Sequence, residues 1–181
     1  HRINNDLCDI LKKYSKKKTL YVVTQFNHPR EFTKESIGAI KKLRNSGVEV
    51  LNQTVLLSGV NDDPKTLSTL FNLLVENYIT PYYLFQCRPV KGVKGFFAVP
   101  IEEGIGIVDQ TKALLSGVAK RFKYCLSHVN GKIEILGKTK NKQLLLKQHQ
   151  AKEKHLINKI FSVPLYEGQT WLKDDVEYNF I

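Results

Sequence analysis

The chain has 181 residues, of which 42% are hydrophobic and 10% aromatic, and its formal net charge is +11. This composition can bury the core of one full-sized domain and excludes wholesale disorder. It contains no run approaching about 18 apolar residues, and its lysine-rich first thirty residues lack a secretory signal, so we expect no membrane partner. The chain begins with His1 and contains no methionine. We therefore expect it to be excised from a longer protein.

Three cysteines, Cys8, Cys87 and Cys125, are scattered along the chain. An odd, scattered set argues against a disulfide framework and favours a reducing, cytoplasmic location. Since no cysteine has a second one at metal-ligand spacing, we predict no zinc or iron–sulfur ligands within this chain.

Residues 1–121 alternate predicted strands and helices. Strands are predicted at residues 19–25, 48–57 and 81–87, and the first of these has a continuous apolar middle that favours burial on both faces. Four helices are predicted. The first covers residues 6–14, and the second is capped by Thr33 and ends at Gly47. The third begins after Asp63-Pro64, and the fourth begins near Pro100. Such alternation predicts a parallel sheet with right-handed crossovers.

Residues 122–181 have a different character and form a predicted β-rich, Lys-rich extension. A strand at 122–126 and another at 133–136 flank Asn130-Gly131, which predicts a hairpin. Further short strands are expected at 144–147 and 157–165. Residues 138–159 contain seven lysines and a single acidic residue, Glu153. A solvated surface is the simpler interpretation of this run, and a surface that binds nucleic acid or protein is the alternative.

Polar side chains at the ends of the predicted parallel strands are the candidates for chemistry, because α/β proteins bind ligands at that edge. Asn27 and His28 follow the first strand, Asn52 and Gln53 interrupt the second, and Arg88 follows the third. A buried amide is either bonded to nearby backbone or reserved for a ligand. Arg88 is suited to hold a carboxylate or phosphate, or to form an ion pair at the rim.

Several strings of residues, in order and at the expected separations, resemble the lysine 2,3-aminomutase family of radical S-adenosylmethionine (SAM) enzymes. The resemblance covers about the first 135 residues and is carried by Arg2-Ile3, Phe26-Asn27-His28-Pro29, Gly47, 52–57, Gly59-Val60-Asn61-Asp62, Pro81-Tyr82-Tyr83 and Gln86-Cys87. It implies the C-terminal half of a partial (β/α)6 TIM-like barrel of the radical SAM type, followed by the β-rich tail. The [4Fe–4S] cluster ligands would lie in a preceding segment.

The resemblance also implies cofactors and site residues. In the family a 5′-deoxyadenosyl radical from SAM removes a hydrogen from the substrate, and pyridoxal 5′-phosphate (PLP) carries the amino group between carbons. Lys132 matches the Schiff-base lysine that holds PLP. Gln53 matches a position facing the SAM and substrate cavity, and Asn27, His28 and Tyr82 resemble other cofactor-binding positions. No metal ligand or further catalytic residue is assigned.

Two departures from the family pattern concern the substrate. Arg88 stands where lysine-specific members have an aspartate that holds the substrate ammonium, and the Ser127-His128 region stands where the second aspartate is expected. A guanidinium reverses the preferred ligand charge. We therefore predict an amino acid with an anionic end rather than lysine. Gln25 also stands where the family has a histidine, so the proton-handling or cofactor contact of that histidine is left open for this chain.

Taken together, these features predict a cytoplasmic, homo-oligomeric isomerase that shifts the amino group of a small amino acid, inactive as this chain alone. The first alternative is a radical SAM enzyme without PLP. The second is a basic module that binds nucleic acid or protein, although few aromatic residues accompany the lysines, so we do not expect nucleic acid as a partner.

Overall fold

The computed structural model describes residues 2–90, 92, 95–174 and 179–181. Its helices are α1 (Asn5–Ser15), α2 (Lys34–Asn45), α3 (Pro64–Glu76) and α4 (Ile101–Ala113). Its strands are β1 (Leu20–Thr24), β2 (Val48–Leu56), β3 (Thr80–Gln86), β4 (Lys123–His128), β5 (Gly131–Lys138), β6 (Gln143–Ala151), β7 (Ile160–Pro164) and β8 (Asn179–Phe180). Short 3-10 turns occupy Pro29–Glu31, Ala119–Arg121 and Lys154–Leu156.

The helix boundaries follow the local capping signals. The Thr33 hydroxyl accepts a hydrogen bond from the Ser36 amide, and the Asp63 carboxylate accepts from the two amides of the first turn of α3. Each side chain thus satisfies backbone donors that a helix leaves unpaired at its start. Gly47 follows α2 with a φ of +78°, a left-handed conformation that glycine adopts without strain. These sequence predictions are confirmed.

The described strands form one mixed sheet in sequence order. Strands β1 to β4 pair in parallel, and β4 to β8 pair antiparallel. The predicted parallel arrangement and the hairpin at Asn130-Gly131 are both confirmed. The boundary placed near residue 121 does not separate two sheets, because β3 and β4 pair across it.

The main hydrophobic cluster of the described residues lies between the helices and one face of the sheet. Helix residues such as Leu67, Leu70 and Leu74 pack with Val50 and Leu56 of β2 in one buried cluster. The same cluster extends into the extension through Ile133, Leu144, Leu146, Phe161 and Val163. The lysine-rich extension is therefore built onto the same hydrophobic core as the helices.

The prediction that the first strand is buried on both faces is wrong for this chain. Leu20 and Val22 pack against the core, whereas Tyr21 is 64% and Val23 48% exposed. In the described structure the helices cover only the face to which Leu20 and Val22 point, and β1 is an edge strand.

The chain returns to the carboxyl ends of the parallel strands after β7. The Ile101 amide donates to the Gln169 carbonyl at 2.8 Å, and the Gln86 side chain donates to the Thr170 carbonyl at 3.1 Å. Leu172 is buried in the common core. The segment thus fixes the start of α4 against the end of β3. Within the described ranges, no helix has the length and apolar character needed to cross a membrane.

Candidate functional site on the helix-free face of the sheet

The sheet face opposite the helices, here called the helix-free face, carries polar and aromatic side chains. Successive side chains of a strand point to opposite faces, so the neighbours of core residues in β2 to β6 lie on this face. They include the following residues: Gln53, Val55, Tyr83, Phe85, Lys123, Cys125, Lys132, Glu134 and His149. Two of these, Gln53 and Lys132, are residues that the sequence predicted for cofactor binding.

Lys132 lies near the start of β5, opposite Ser127 of β4. Its Nζ is 4.5 Å from the centre of the Tyr83 ring and 5.8 Å from that of Phe85. Within the described part of the chain it has no ion-pair partner. The half-buried ammonium is therefore stabilised by aromatic faces, which leaves the nitrogen without a carboxylate that would compete for it.

Tyr83 is completely buried although it lies on the helix-free face. Its hydroxyl is 2.8 Å from Nε2 of His149, and the Tyr82 and Phe85 rings pack against it at centroid distances of 4.0 and 5.0 Å. Burial, followed by the contact with Tyr82, raises the pKa of Tyr83 above its ordinary value. Tyr83 thus remains a protonated phenol that can donate to His149.

His149 joins this cluster from β6, which is separated from β3 by two strands. Burial and the nearby positive charge of Lys123 lower the pKa of the His149 imidazole. A neutral ring with its proton on Nδ1 accepts the Tyr83 proton donor through Nε2. The pair thereby connects the parallel part of the sheet to the antiparallel extension.

An ion pair and a buried thiol occupy the adjacent part of the face. Lys123 Nζ lies 2.7 Å from Glu134 Oε2, beside Cys125, which pairs with Glu134 across the two strands. Burial and then the Glu134 charge raise the pKa of the Cys125 thiol to about 12. Cys125 therefore stays a neutral thiol at physiological pH and is unsuited to act as a nucleophile there.

Asn27 and His28 lie after β1, and the side chain of each accepts a hydrogen bond from a backbone amide. Asn27 Oδ1 accepts from the Val55 amide at 2.8 Å. His28 Nδ1 accepts from the Arg30 amide at 3.0 Å and caps the turn Pro29–Glu31. The Asn27 bond attaches the β1 loop to β2, and the His28 bond lies within the loop. The predicted cofactor contacts of both residues stay predictions, and the His28 ring has only its Nε2 side left for a ligand.

The structure separates the roles of the adjacent residues Asn52 and Gln53. Asn52 is fully buried on the helix side: its Oδ1 accepts from Thr24 Oγ1 and the Phe26 amide, and its Nδ2 donates to the Phe26 carbonyl and Thr54 Oγ1. The amide has no capacity left for a ligand. Gln53 points to the other face, opposite Tyr83 in the register, where its amide can reach a ligand.

Tyr82 and Arg88 lie near opposite ends of β3. Tyr82 is the extra residue of a β-bulge, because Asn52 pairs with Pro81 and Gln53 pairs with Tyr83. Arg88 is exposed just beyond the end of β3. Phe85 of β3 pairs with Cys125 of β4. Two residues further along both strands, the end of β3 therefore lies beside Ser127, which is opposite Lys132. The predicted substrate and PLP residues thus share the carboxyl edge.

His128 adjoins Arg88 from the helix side. Its side chain is only 1% exposed, and its Nε2 lies 3.4 Å from Asp174 Oδ1. Burial lowers the pKa of His128, the Asp174 charge opposes this effect, and the Arg88 charge adds to it. The Ser127-His128 region therefore supplies a buried imidazole with a lowered pKa and no carboxylate.

Cavities of about 370 and 280 Å³ that share Arg44 and Tyr78 lie at the opposite edge of the sheet, beside the start of β3. Neither cavity contains a predicted site residue. Across the described residues, no three His, Cys, Asp or Glu side chains are grouped so that they could hold a metal ion.

Sequence reasoning missed the contributions of Tyr83 and His149. Tyr83 belongs to a string that carried the family resemblance, but no role was assigned to it. His149 lies within the lysine-rich run interpreted as a solvated surface. The alternation of apolar Leu144 and Leu146 with polar residues up to His149 was the available signal that this segment is a half-buried strand.

The chain is similar in sequence to proteins named as 2,3-aminomutases. It is 41% identical over 160 residues to an Aquifex aeolicus protein provisionally assigned as an L-lysine 2,3-aminomutase, covering 88% of this chain and 42% of that protein. It is 42% identical to the glutamate 2,3-aminomutase of Clostridioides difficile, covering 65% of this chain and 27% of that protein. It is 40% identical to the L-lysine 2,3-aminomutase of Bacillus subtilis, covering 65% and 24%.

The chain is a relative of the lysine 2,3-aminomutase family and matches the carboxyl-terminal part of its members, so the predicted resemblance is confirmed. The chain spans about two fifths of the first of these relatives and about a quarter of the others.

No family model matches the sequence. Among solved structures, a radical SAM methyltransferase from Sphaerobacter thermophilus is similar at a TM-score of 0.43 and 16% identity, covering 65% of this chain and 38% of that chain. A similarity at that level supports no argument about fold or function.

Proposed function

We propose that this chain forms the carboxyl-terminal half of a radical SAM, PLP-dependent amino acid 2,3-aminomutase. In this proposal strands β1 to β3 are the last strands of a partial (β/α)6 barrel, and the helix-free face lines its interior. The position of Lys132 carries the proposal: the residue that matches the family's PLP lysine lies on this face, without a salt bridge among the described residues.

The residues around Lys132 fit PLP, which would supply the electron sink for amino group migration. Lys132 provides the amine that PLP requires, and the aromatic side chains of Tyr83 and Phe85 provide a flat apolar support. His149 contributes a polar contact nearby through its hydrogen bond to Tyr83. In the chain's own chemistry, Lys132 would hold the cofactor, Gln53 would orient SAM or substrate, and the aromatic cluster would exclude water.

The described residues do not fit a [4Fe–4S] cluster. Cys87 and Cys125 are both buried, burial raises the pKa of both thiols, and Cys8 lies in α1. Cluster ligands must be thiolates grouped in space. In the proposal the cluster ligands come from another part of the protein, and no step involving the cluster is assigned to residues of this chain.

Arg88 supports a substrate with an anionic end. The guanidinium is exposed at the carboxyl edge, close enough to His128 to influence its pKa. A substrate ammonium placed there would be repelled by Arg88, whereas a carboxylate can form two parallel hydrogen bonds with it. Glutamate, the substrate named for one relative, has such a group.

Cofactor attachment is the decisive test of this proposal. The chain is incubated with PLP, treated with borohydride and mapped by peptide mass spectrometry. We expect the reduced adduct predominantly at Lys132, and its loss in Lys132→Ala but not in the matched control Lys140→Ala, an exposed loop residue. An adduct distributed evenly over surface lysines would refute the PLP assignment and favour a radical SAM enzyme without PLP.

Substrate preference is tested in the enzyme completed with its cluster-bearing part. Arg88→Asp is expected to shift the ratio of kcat/KM values from glutamate toward lysine, by about tenfold or more if one charged hydrogen-bonded contact of about 1.5–3 kcal/mol is lost. Arg30→Asp, an exposed residue after β1, is the control. An unchanged ratio in Arg88→Asp would place Arg88 outside the substrate site.

A further inference from the structure

Two irregularities in the sheet converge on one side-chain pair. In β3 the extra residue Tyr82 shifts the register between β2 and β3 immediately before Tyr83. In β6 the register passes from Gln148 opposite Ile133 to Gln150 opposite Lys132, so His149 is the extra residue. Bulges reorient side chains locally and are frequent beside functional sites. Here both bulges lie beside the hydrogen bond that joins Tyr83 to His149.

Tyr83, held by His149, forms the surface against which the Lys132 side chain packs. The Tyr83 ring lies 4.5 Å from Lys132 Nζ, and the hydroxyl of the same ring is held at 2.8 Å by His149. The Tyr82 and Phe85 rings also pack against the Tyr83 ring, and the hydrogen bond adds a directional restraint at its hydroxyl end. The bond thereby helps to hold the ring face under the Lys132 amine.

We propose that Tyr83 and His149 are positioning residues that orient the Lys132 amine toward an aldehyde ligand. Tyr83 provides the ring against which the side chain of Lys132 lies. His149, which is 66 residues away in sequence, fixes that ring through its hydroxyl. The inference builds on the proposed role of Lys132, but the orientation of the amine can be measured without PLP.

The first experiment measures the orientation of the amine directly. The lysines of the chain are converted to 13C-dimethyl-lysine, and their methyl resonances are recorded by NMR. Groups above an aromatic face are shielded, so the Lys132 resonance is expected upfield of the exposed lysines. The shift should disappear in Tyr83→Leu, decrease in Tyr83→Phe and His149→Phe, and recover in His149→Gln, whose amide can replace the ring nitrogen. Tyr21→Leu, an exposed tyrosine of β1, should leave it unchanged.

The second experiment separates positioning from simple structural support. Formaldehyde is small and needs only an accessible amine, whereas labelling of Lys132 by PLP also needs space for the pyridine ring beside an amine that points toward it. In His149→Phe the rate of Lys132 methylation by formaldehyde and cyanoborohydride is expected to rise, while labelling by PLP and borohydride is expected to fall. Each change should stay below about fivefold, the limit for complete loss of one cation–π contact. A structural defect would change both rates in the same direction for all lysines, and Lys16 is the internal reference.

The outcomes are distinct. A Lys132 resonance that coincides with those of the exposed lysines in the unmodified sequence, or that ignores Tyr83→Leu, would overturn the inference. Equal changes of both labelling rates in His149→Phe would overturn it as well. If the shielded resonance and its response to the variants are found but PLP never labels Lys132, the positioning stands and the proposed PLP function fails.

Discussion

Replacing Asn52 with alanine tests whether this residue serves the fold or a ligand. The substitution removes four hydrogen bonds made by a side chain with no exposed surface. Thr24 Oγ1 retains its bond to the Leu51 carbonyl, and the Phe26 carbonyl retains that from Thr54. The Phe26 amide, in contrast, loses the partner that the structure gives it.

The cost can be estimated from these contacts. A buried donor left without a partner costs about 1–3 kcal/mol, and each further net hydrogen bond contributes about 0.5–1.5 kcal/mol. Asn52→Ala should therefore lower the free energy of unfolding by about 3 kcal/mol. With a urea m-value of about 2 kcal/mol/M, the midpoint of unfolding falls by about 1.5 M.

The control is Gln53→Ala, one residue along on the helix-free face. Its side chain is half-buried and makes none of these bonds, so we expect a midpoint change below about 0.3 M, corresponding to the range of ordinary surface substitutions. Urea denaturation followed by circular dichroism measures both variants. Equal destabilisation by the two substitutions, or a stable Asn52→Ala, would refute the assignment of Asn52 to the fold.

Three further predictions concern packing, reactivity and pH. Gly104→Ala in α4 is expected to destabilise the fold by about 2 kcal/mol, because a Cβ there would overlap the Tyr124 hydroxyl and press against the Leu56 side chain. Gly106→Ala, whose Cβ meets open space, should instead stabilise the fold by up to about 1 kcal/mol. Thermal unfolding compares the two variants, and similar effects of both substitutions would contradict the packing. Cys125, whose pKa is raised to about 12, should remain unmodified by iodoacetamide at pH 8 while the half-buried Cys8 reacts; mass spectrometry would contradict this if Cys125 reacted first. Because burial lowers the pKa of His128 in the folded state below its ordinary value of 6.5, the unfolded state binds more protons as the pH falls, and stability should decrease below about pH 6.5. His128→Gln should weaken that decrease, and an unchanged dependence of the urea midpoint between pH 7 and 5 would show that other groups cause it.

Much of the fold could be predicted from short-range signals. Thr33 and Asp63 mark helix starts because a cap acts on amides two or three residues away. Gly47 marks a helix end because its own φ decides the turn. The alternation of strands and helices then left few arrangements other than a parallel sheet. For the site, Lys132 was found through family resemblance, since its local sequence is that of an ordinary hairpin lysine.

The remaining features depend on contacts between distant parts of the chain. From the sequence, Asn52 and Gln53 were both candidate ligand-binding amides. Because the helices cover only one face of the sheet, Asn52 lies on the covered face and bonds to backbone and neighbouring hydroxyls, whereas Gln53 lies on the other face and can reach a ligand. Burial of the first strand was predicted on both faces from its apolar residues, but the exposure of Tyr21 and Val23 depends on which elements pack against it.

The amino-acid sequence by itself determined the capped helices, the alternation of strands and helices, and the family to which the chain is related, because these depend on residues close together or on preserved strings. Tertiary structure alone decided that Tyr83, His149 and Lys132 meet. They lie on three different strands, and a one-residue bulge in two of the strand pairings sets their directions. Such a shift in register leaves no mark in local composition, yet it determines which side chains share a face.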